Sequence, residues 1–95
     1  MPIFFGKVEL QGPFSSLEEL EDRAGLFAIL CVKDEQISLL DVQRAKFVQA
    51  DVAKILREPT WGDVCTGKIR VAVLYLNDEK EMAQLREEIL EGTRP

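Results

Sequence analysis

Side chains that could bind a metal or act as nucleophiles are few in this chain. It has 95 residues, two cysteines and no histidine. A structural zinc site needs four ligands, usually Cys and His, which Cys31 and Cys65 cannot supply. Cys31 lies in an apolar run and is expected to be buried, whereas Cys65 lies in a polar segment and is expected to be partly exposed. We predict that both thiols are reduced and that the chain carries no cofactor.

Cations between positions 44 and 70 could contact a phosphate or another anion. These cations are Arg44, Lys46, Lys54, Arg57, Lys68 and Arg70. They form a basic patch only if the middle helix and the last strand present them together, and otherwise they are solvated surface. The formal net charge of −5 opposes binding to phosphate backbones, which depends on Lys and Arg. Nucleic-acid binding is therefore disfavoured but stays an alternative.

Trp61 and Asp41 each allow a structural and a functional interpretation. Trp61, in a Pro-Thr-Trp-Gly segment, is either a binding anchor or a lid on the core. Asp41 interrupts an apolar segment, so it faces solvent, caps the following helix or lines a cleft. Neither residue defines a site by itself.

Two apolar segments predict the centre of a β-sheet. Residues 26–32 form a continuous apolar run between Gly25 and a charged tripeptide, which is typical of a strand covered on both faces. Residues 37–42 form a second strand, and the short connection requires an antiparallel hairpin. Alternation over 68–76 predicts a third strand. Residues 3–10, followed by a Gln-Gly-Pro turn, predict a short N-terminal extension strand.

Helices are predicted between and after these strands. A capping box formed by Ser16 and Glu19 predicts a short helix over about 16–22. Apolar residues at helical spacing predict an amphipathic helix over about 45–57, and a last helix extends from Asn77 or Asp78 to about residue 91.

The predicted fold is one α+β domain over residues 1–95, with an extension at 1–12 and a core at 13–95. Its small central sheet has three strands, is mostly antiparallel and is flanked by helices. No apolar run reaches the ~18 residues that span a bilayer. Residues 1–5 lack the pattern of a secretory signal. We therefore expect a cytoplasmic protein that does not enter a membrane.

These segments, taken in order, resemble the GIY-YIG endonuclease domain over about residues 12–95. The first central strand opens with AGLF at 24–27, and DVQ at 41–43, at the end of the second strand, is matched to the second motif. The segment WGDVCTGKIRVAVLY at 61–75 is similar to the tryptophan, loop and strand of some small members, and a proline lies in the tail at 93–95. The resemblance implies a site for metal-assisted phosphodiester hydrolysis.

That chemistry needs a general base, a cation beside the phosphate and a carboxylate that holds Mg²⁺. Phe27 stands at the position of the first tyrosine and lacks its hydroxyl. Asp41 stands at the second tyrosine, and Gln43 replaces the last glycine of the motif. Asp51 takes the place of the catalytic arginine, where it would repel phosphate, and Arg86 takes that of the metal-binding glutamate. The resemblance thus implies a nuclease-like fold without its catalytic residues.

Other placements of the motif leave this conclusion unchanged. A register in which Leu39-Leu40-Asp41 is the second motif puts Gln49 at the arginine position. In the preferred register Ile55 falls at the histidine position. The glutamate could instead be Glu87 or Glu88, but one carboxylate without a base or a cation does not complete the site.

We expect a non-catalytic interaction module whose ligand is an unidentified protein or a second copy of the chain. The alternatives are nucleic-acid binding without cleavage and a weak metal-dependent endonuclease that uses Glu87 or Glu88. The candidate binding residues are Trp61, Arg44, Lys46, Lys54 and Arg57.

Overall fold

A computed structural model describes residues 2–59 and 61–92, so the tail at 93–95 lies outside the described residues. Five strands and three helices are present in this part of the chain. The strands are β1 (Pro2–Phe5), β2 (Val8–Phe14), β3 (Gly25–Lys33), β4 (Gln36–Ala45) and β5 (Lys68–Tyr75). The helices are α1 (Val48–Leu56), α2 (Trp61–Val64) and α3 (Glu79–Gly92), and a 3-10 turn spans Leu17–Glu19.

The strands form one sheet in the order β1-β2-β5-β3-β4, and every neighbouring pair is antiparallel. The predicted α+β class and antiparallel sheet are confirmed, but the prediction of three strands is wrong. The two further strands come from residues 2–14, for which a single extension strand was predicted. β1 and β4 are the two edges of the sheet.

The N-terminal residues fold into a hairpin because a two-residue turn interrupts their apolar run. Phe5 pairs with Val8, and Gly6 between them has φ of 63°, a conformation that glycine adopts at no steric cost. The Gln-Gly-Pro segment that predicted a turn is a bulge inside β2. Gly12 has φ of 131°, and a Cβ atom there would lie 2.8 Å from the carbonyl oxygen of Val71. The predicted turn is therefore wrong.

The central hairpin follows the sequence prediction closely. β3 pairs with β4 from Gly25 opposite Ala45 to Lys33 opposite Gln36. Asp34 and Glu35 form the two-residue turn, and both have positive φ, as a type I′ turn requires. The register shifts by one residue between Ile29 and Leu30, which leaves β4 with a bulge.

Helices cover both faces of the sheet. On one side, which we call the α3 face, Met82 and Ile89 pack against Leu26, Leu30 and Val42 in a shared core cluster. On the opposite side, which we call the α1 face, a second cluster contains Val48, Val52, Phe27, Ile29 and Val73. The prediction that β3 is covered on both faces is therefore confirmed.

Polar groups from the segment before β3 fix the start of α1. Phe47 at the N-cap position has no side-chain group that can cap a helix, and Asp22 takes this role instead. The Asp22 carboxylate accepts a hydrogen bond from the Ala50 N–H at 3.2 Å, and the Arg23 carbonyl accepts one from Val48 at 2.8 Å. The Gln49 amide donates to the carbonyl oxygens of Leu17 and Leu20, at 2.9 and 3.1 Å. α1 is thereby tied to the 3-10 turn.

The other predicted helices begin at capping groups. Ser16 and Glu19 form the predicted capping box, although the helix is only the short 3-10 turn. Asp78 caps α3, because its Oδ1 atom accepts hydrogen bonds from the N–H groups of Lys80 and Glu81.

Cys31 and Cys65 form a disulfide, which corrects the prediction of reduced thiols. Cys31 lies near the end of β3 and Cys65 follows α2, and their Cα atoms are 5.6 Å apart. Cys65 is buried, so its predicted partial exposure is also wrong. The bond joins the segment that follows α2 to the end of β3.

In the part of the chain that the structure describes, no helix has the length and hydrophobicity needed to cross a bilayer.

We expect Ile29→Ala to lower the free energy of unfolding by ~2–5 kcal/mol, because it leaves a cavity at a fully buried position. Urea denaturation measures the change. Ile37→Ala is the matched control, since Ile37 is 42% exposed and loses less contact. A loss below ~1 kcal/mol at Ile29 would show that β3 is not core.

We expect reduction of the disulfide to lower the free energy of unfolding by about 3–4 kcal/mol, because it releases a constraint across a sequence separation of 34. Urea denaturation with and without a phosphine reductant measures this change. The double variant Cys31→Ala/Cys65→Ala should be insensitive to the reductant. An unchanged midpoint for the reduced wild-type protein would contradict the structural role of the bond.

Candidate functional site

Phe27 is part of the core. It lies on β3 between Gln43 of β4 and Val73 of β5, and its exposed fraction is 0%. Its side chain packs in the α1-face cluster with Ile29 and Val52. An aromatic ring in this position has no hydroxyl and no contact with solvent, so it cannot orient a water molecule or a phosphate.

Asp41 and Gln43 are joined by a hydrogen bond along β4. The Gln43 amide donates to Asp41 Oδ2 at 2.6 Å. The other carboxylate oxygen of Asp41 accepts a hydrogen bond from the backbone N–H of Val42 at 2.9 Å. Both acceptor atoms of Asp41 are therefore used by neighbours on the same strand.

Arg86, on α3, also contacts Val42. Its Nε atom donates to the carbonyl oxygen of Val42 at 2.9 Å. The N–H and C=O groups of Val42 are thus both bonded to side chains. In the sheet, Val42 lies opposite Ala28 of β3. We call this arrangement of Asp41, Val42 and Arg86 the Val42 clasp.

The clasp solves a problem that every edge strand has. β4 has a neighbouring strand on one side only, and unpaired backbone groups at an edge invite pairing with another chain. Val42 is fully buried, so an unsatisfied N–H or C=O group there would be costly. Asp41 and Arg86 therefore stabilise the fold at this point.

Asp51 does not join these residues. It lies in the first turn of α1, where a carboxylate favours the positive end of the helix dipole. α1 packs on one face of the sheet and α3 on the other, so Asp51 and Arg86 are separated by the sheet. Ile55 packs against the α1-face cluster, and Gln49 is bonded to the 3-10 turn. Phe27, Asp51 and Arg86, which stand where the resemblance places catalytic residues, therefore do not meet in one pocket.

A cleft lies between β4 and the middle of α3. Its volume is about 420 Å³. The residues that line it are Gln43, Arg44, Ala83, Arg86 and Glu87. A second depression of about 260 Å³ is lined by Arg44, Ala45, Lys46, Glu79 and Met82. Because Arg44 borders both, we refer to them together as the β4–α3 cleft.

The basic residues are divided between several surfaces. Arg44 and Lys46 line the β4–α3 cleft, whereas Lys54 and Arg57 belong to α1 and its C-cap on the other face. Lys68 pairs with Val32 at the far end of β3, while Arg44 pairs with Leu26 near its start. The six cations thus do not form one continuous patch.

Trp61 covers the core beside α1. Its indole N–H donates to the Ile55 carbonyl at 2.8 Å, and its half-buried ring packs against the α1-face cluster. This contact corresponds to the lid interpretation of Trp61. A role in binding stays a prediction.

The remaining carboxylates on α3 are dispersed. Glu87 borders the β4–α3 cleft, and Glu88 borders a different depression beside Gly6 and Lys7. Within residues 2–59 and 61–92, no cluster of three or more His, Cys, Asp or Glu side chains could hold a metal ion.

Comparison with protein-family models, with curated proteins and with solved structures found no match for this chain. The GIY-YIG resemblance therefore stays a prediction from the sequence.

Sequence reasoning missed that Arg44 and Arg86 border one cleft. The signals were available, because strand alternation puts Arg44 on the same side of β4 as Val42. Helical spacing likewise puts Arg86 one turn after Met82. What the sequence lacked was the position of α3 relative to the edge of the sheet.

We expect Arg86→Met to lower the free energy of unfolding by ~1–3 kcal/mol, because it leaves the Val42 carbonyl without its donor. It should also increase self-association through the uncovered edge of β4. Urea denaturation and sedimentation velocity measure the two effects. Arg44→Met is the matched control, since Arg44 is an exposed arginine on the same cleft. Equal behaviour of the two variants would contradict the clasp.

Proposed function

We propose that this chain is a non-catalytic interaction module with a GIY-YIG-like fold, whose ligand is a protein. The observation that carries the proposal is the Val42 clasp. Asp41 and Arg86 stand where the GIY-YIG resemblance places catalytic residues. Both side chains are bonded to the backbone of Val42, a buried residue on the edge strand. Both carboxylate oxygens of Asp41 are bonded within β4, and Arg86 is a cation where the resemblance places a metal-binding glutamate, so neither side chain is available to hold Mg²⁺ beside a phosphate.

Phe27 and Asp51, which also stand where the resemblance places catalytic residues, support the same proposal. Phe27 is fully buried, and Asp51 lies on the opposite side of the sheet from Arg86. Phosphodiester hydrolysis needs a base, a cation and a metal ligand at one point. Residues that are buried or separated by the sheet do not meet this requirement.

Nucleic-acid binding without cleavage is the weaker candidate. Its cations lie on both faces of the sheet, and the formal net charge is −5. Binding that depends on Lys and Arg contacts with phosphates weakens steeply as salt rises. A labelled oligonucleotide titrated at low and moderate salt distinguishes this candidate from protein binding.

We expect no cleavage of supercoiled plasmid or branched DNA in the presence of Mg²⁺ or Mn²⁺, because the required groups do not converge. Agarose-gel assays of the purified protein measure cleavage. The double variant Glu87→Gln/Glu88→Gln is the control, since any cleavage that it retains comes from a contaminating nuclease. Divalent-dependent cleavage that this variant abolishes would overturn the proposal.

A further inference from the structure

The β4–α3 cleft concentrates positive charge on an otherwise acidic protein. Arg44, Lys46 and Arg86 border it, together with Glu79 and Glu87. The cleft therefore has a surplus of one positive charge, whereas the whole chain has a formal net charge of −5.

None of the three cations is neutralised by a neighbouring carboxylate. Among residues 2–59 and 61–92, the ion pair within 4.0 Å is that of Arg23 with Glu21, and neither residue lines the cleft. Arg44 and Lys46 are exposed side chains, and Arg86 is half-buried. An anion that enters the cleft can therefore bind these cations without first displacing a carboxylate from them.

The clasp orients one of these donors in advance. The Nε atom of Arg86 bonds to the Val42 carbonyl at 2.9 Å, which leaves the two Nη groups to contact a ligand. A guanidinium that is already held loses less conformational entropy when it binds. Gln43, whose amide bonds to Asp41, also borders the cleft and adds a neutral polar surface.

We propose that the β4–α3 cleft binds an acidic peptide segment of a partner protein, whose side-chain carboxylates contact Arg44 and Arg86. This inference rests on the proposed function as an interaction module. A volume of about 420 Å³ accommodates a few side chains, and arginine pairs with carboxylates through two parallel hydrogen bonds.

The arrangement of charges favours a peptide over a nucleic acid. Glu79 and Glu87 lie among the cations of the cleft, so a ligand with closely and evenly spaced charges meets repulsion. In an extended peptide, side chains that point to the same side are about 6–7 Å apart. Alternate side chains of such a peptide point away from the cleft, so its carboxylates can reach the cations without all lying beside the glutamates.

Fluorescence anisotropy with a labelled acetyl-hexaglutamate amide tests the proposal. The matched hexaglutamine peptide is the neutral probe and should show no saturable binding. Arg44→Gln should weaken hexaglutamate binding about tenfold, which corresponds to ~1.4 kcal/mol. Glu87→Gln should strengthen binding several-fold, because it removes a repulsive charge from the cleft. Lys54→Gln, on the other face, should leave the affinity unchanged.

These variants separate binding from folding, because all three residues are exposed and one variant is expected to gain affinity. Absence of saturable hexaglutamate binding would overturn the proposal, and so would equal effects of Arg44→Gln and Lys54→Gln. Tighter binding of oligothymidine than of hexaglutamate would overturn it in favour of a nucleic acid. The plasmid assay is independent of these results. If the peptide does not bind, the prediction that the protein does not cleave DNA is unaffected.

Discussion

Burial of β3 on both faces is the constraint on which the rest of the structure depends. β3 pairs with β4 on one side and β5 on the other, and its side chains alternate between the two core clusters. Each cluster needs its own covering layer, since apolar surface left in water is unfavourable. α1 and α3 must therefore lie on opposite sides of the sheet. Asp51 and Arg86 are separated for the same reason.

The position of β4 at an edge follows from this arrangement and gives Asp41 and Arg86 their structural role. A central strand would satisfy the Val42 N–H and C=O groups with another strand, whereas here two side chains do so. A polar residue in an apolar strand is costly unless it is bonded. Asp41, which looked anomalous in the sequence, is bonded to the Val42 N–H and the Gln43 amide. The clasp connects the α3 layer to the sheet edge.

The elements with strong local patterns were predicted from the sequence, and those set by tertiary contacts were not. β3, β4 and β5 have continuous or alternating apolar residues, and the observed strands match them within a few residues. The N-terminal hairpin was missed because its short turn at Gly6 lies inside an apolar stretch, while the more obvious turn signal at Gly12 is a bulge. The disulfide was missed because only the pairing of β5 with β3, which puts Ile69 opposite Cys31, brings Cys65 close to Cys31.

The candidate site was less predictable because it depends on how charges are distributed and not on how many there are. A net charge of −5 argued against binding to phosphate backbones, although a local basic patch stayed an alternative. Strand and helix geometry nevertheless place Arg44, Lys46 and Arg86 along one cleft, where Coulomb interactions act over a few ångströms and are partly screened beyond that distance. Lys54 and Arg57, on the other face, do not contribute at short range. The local field at the β4–α3 cleft can therefore differ in sign from that of the whole molecule.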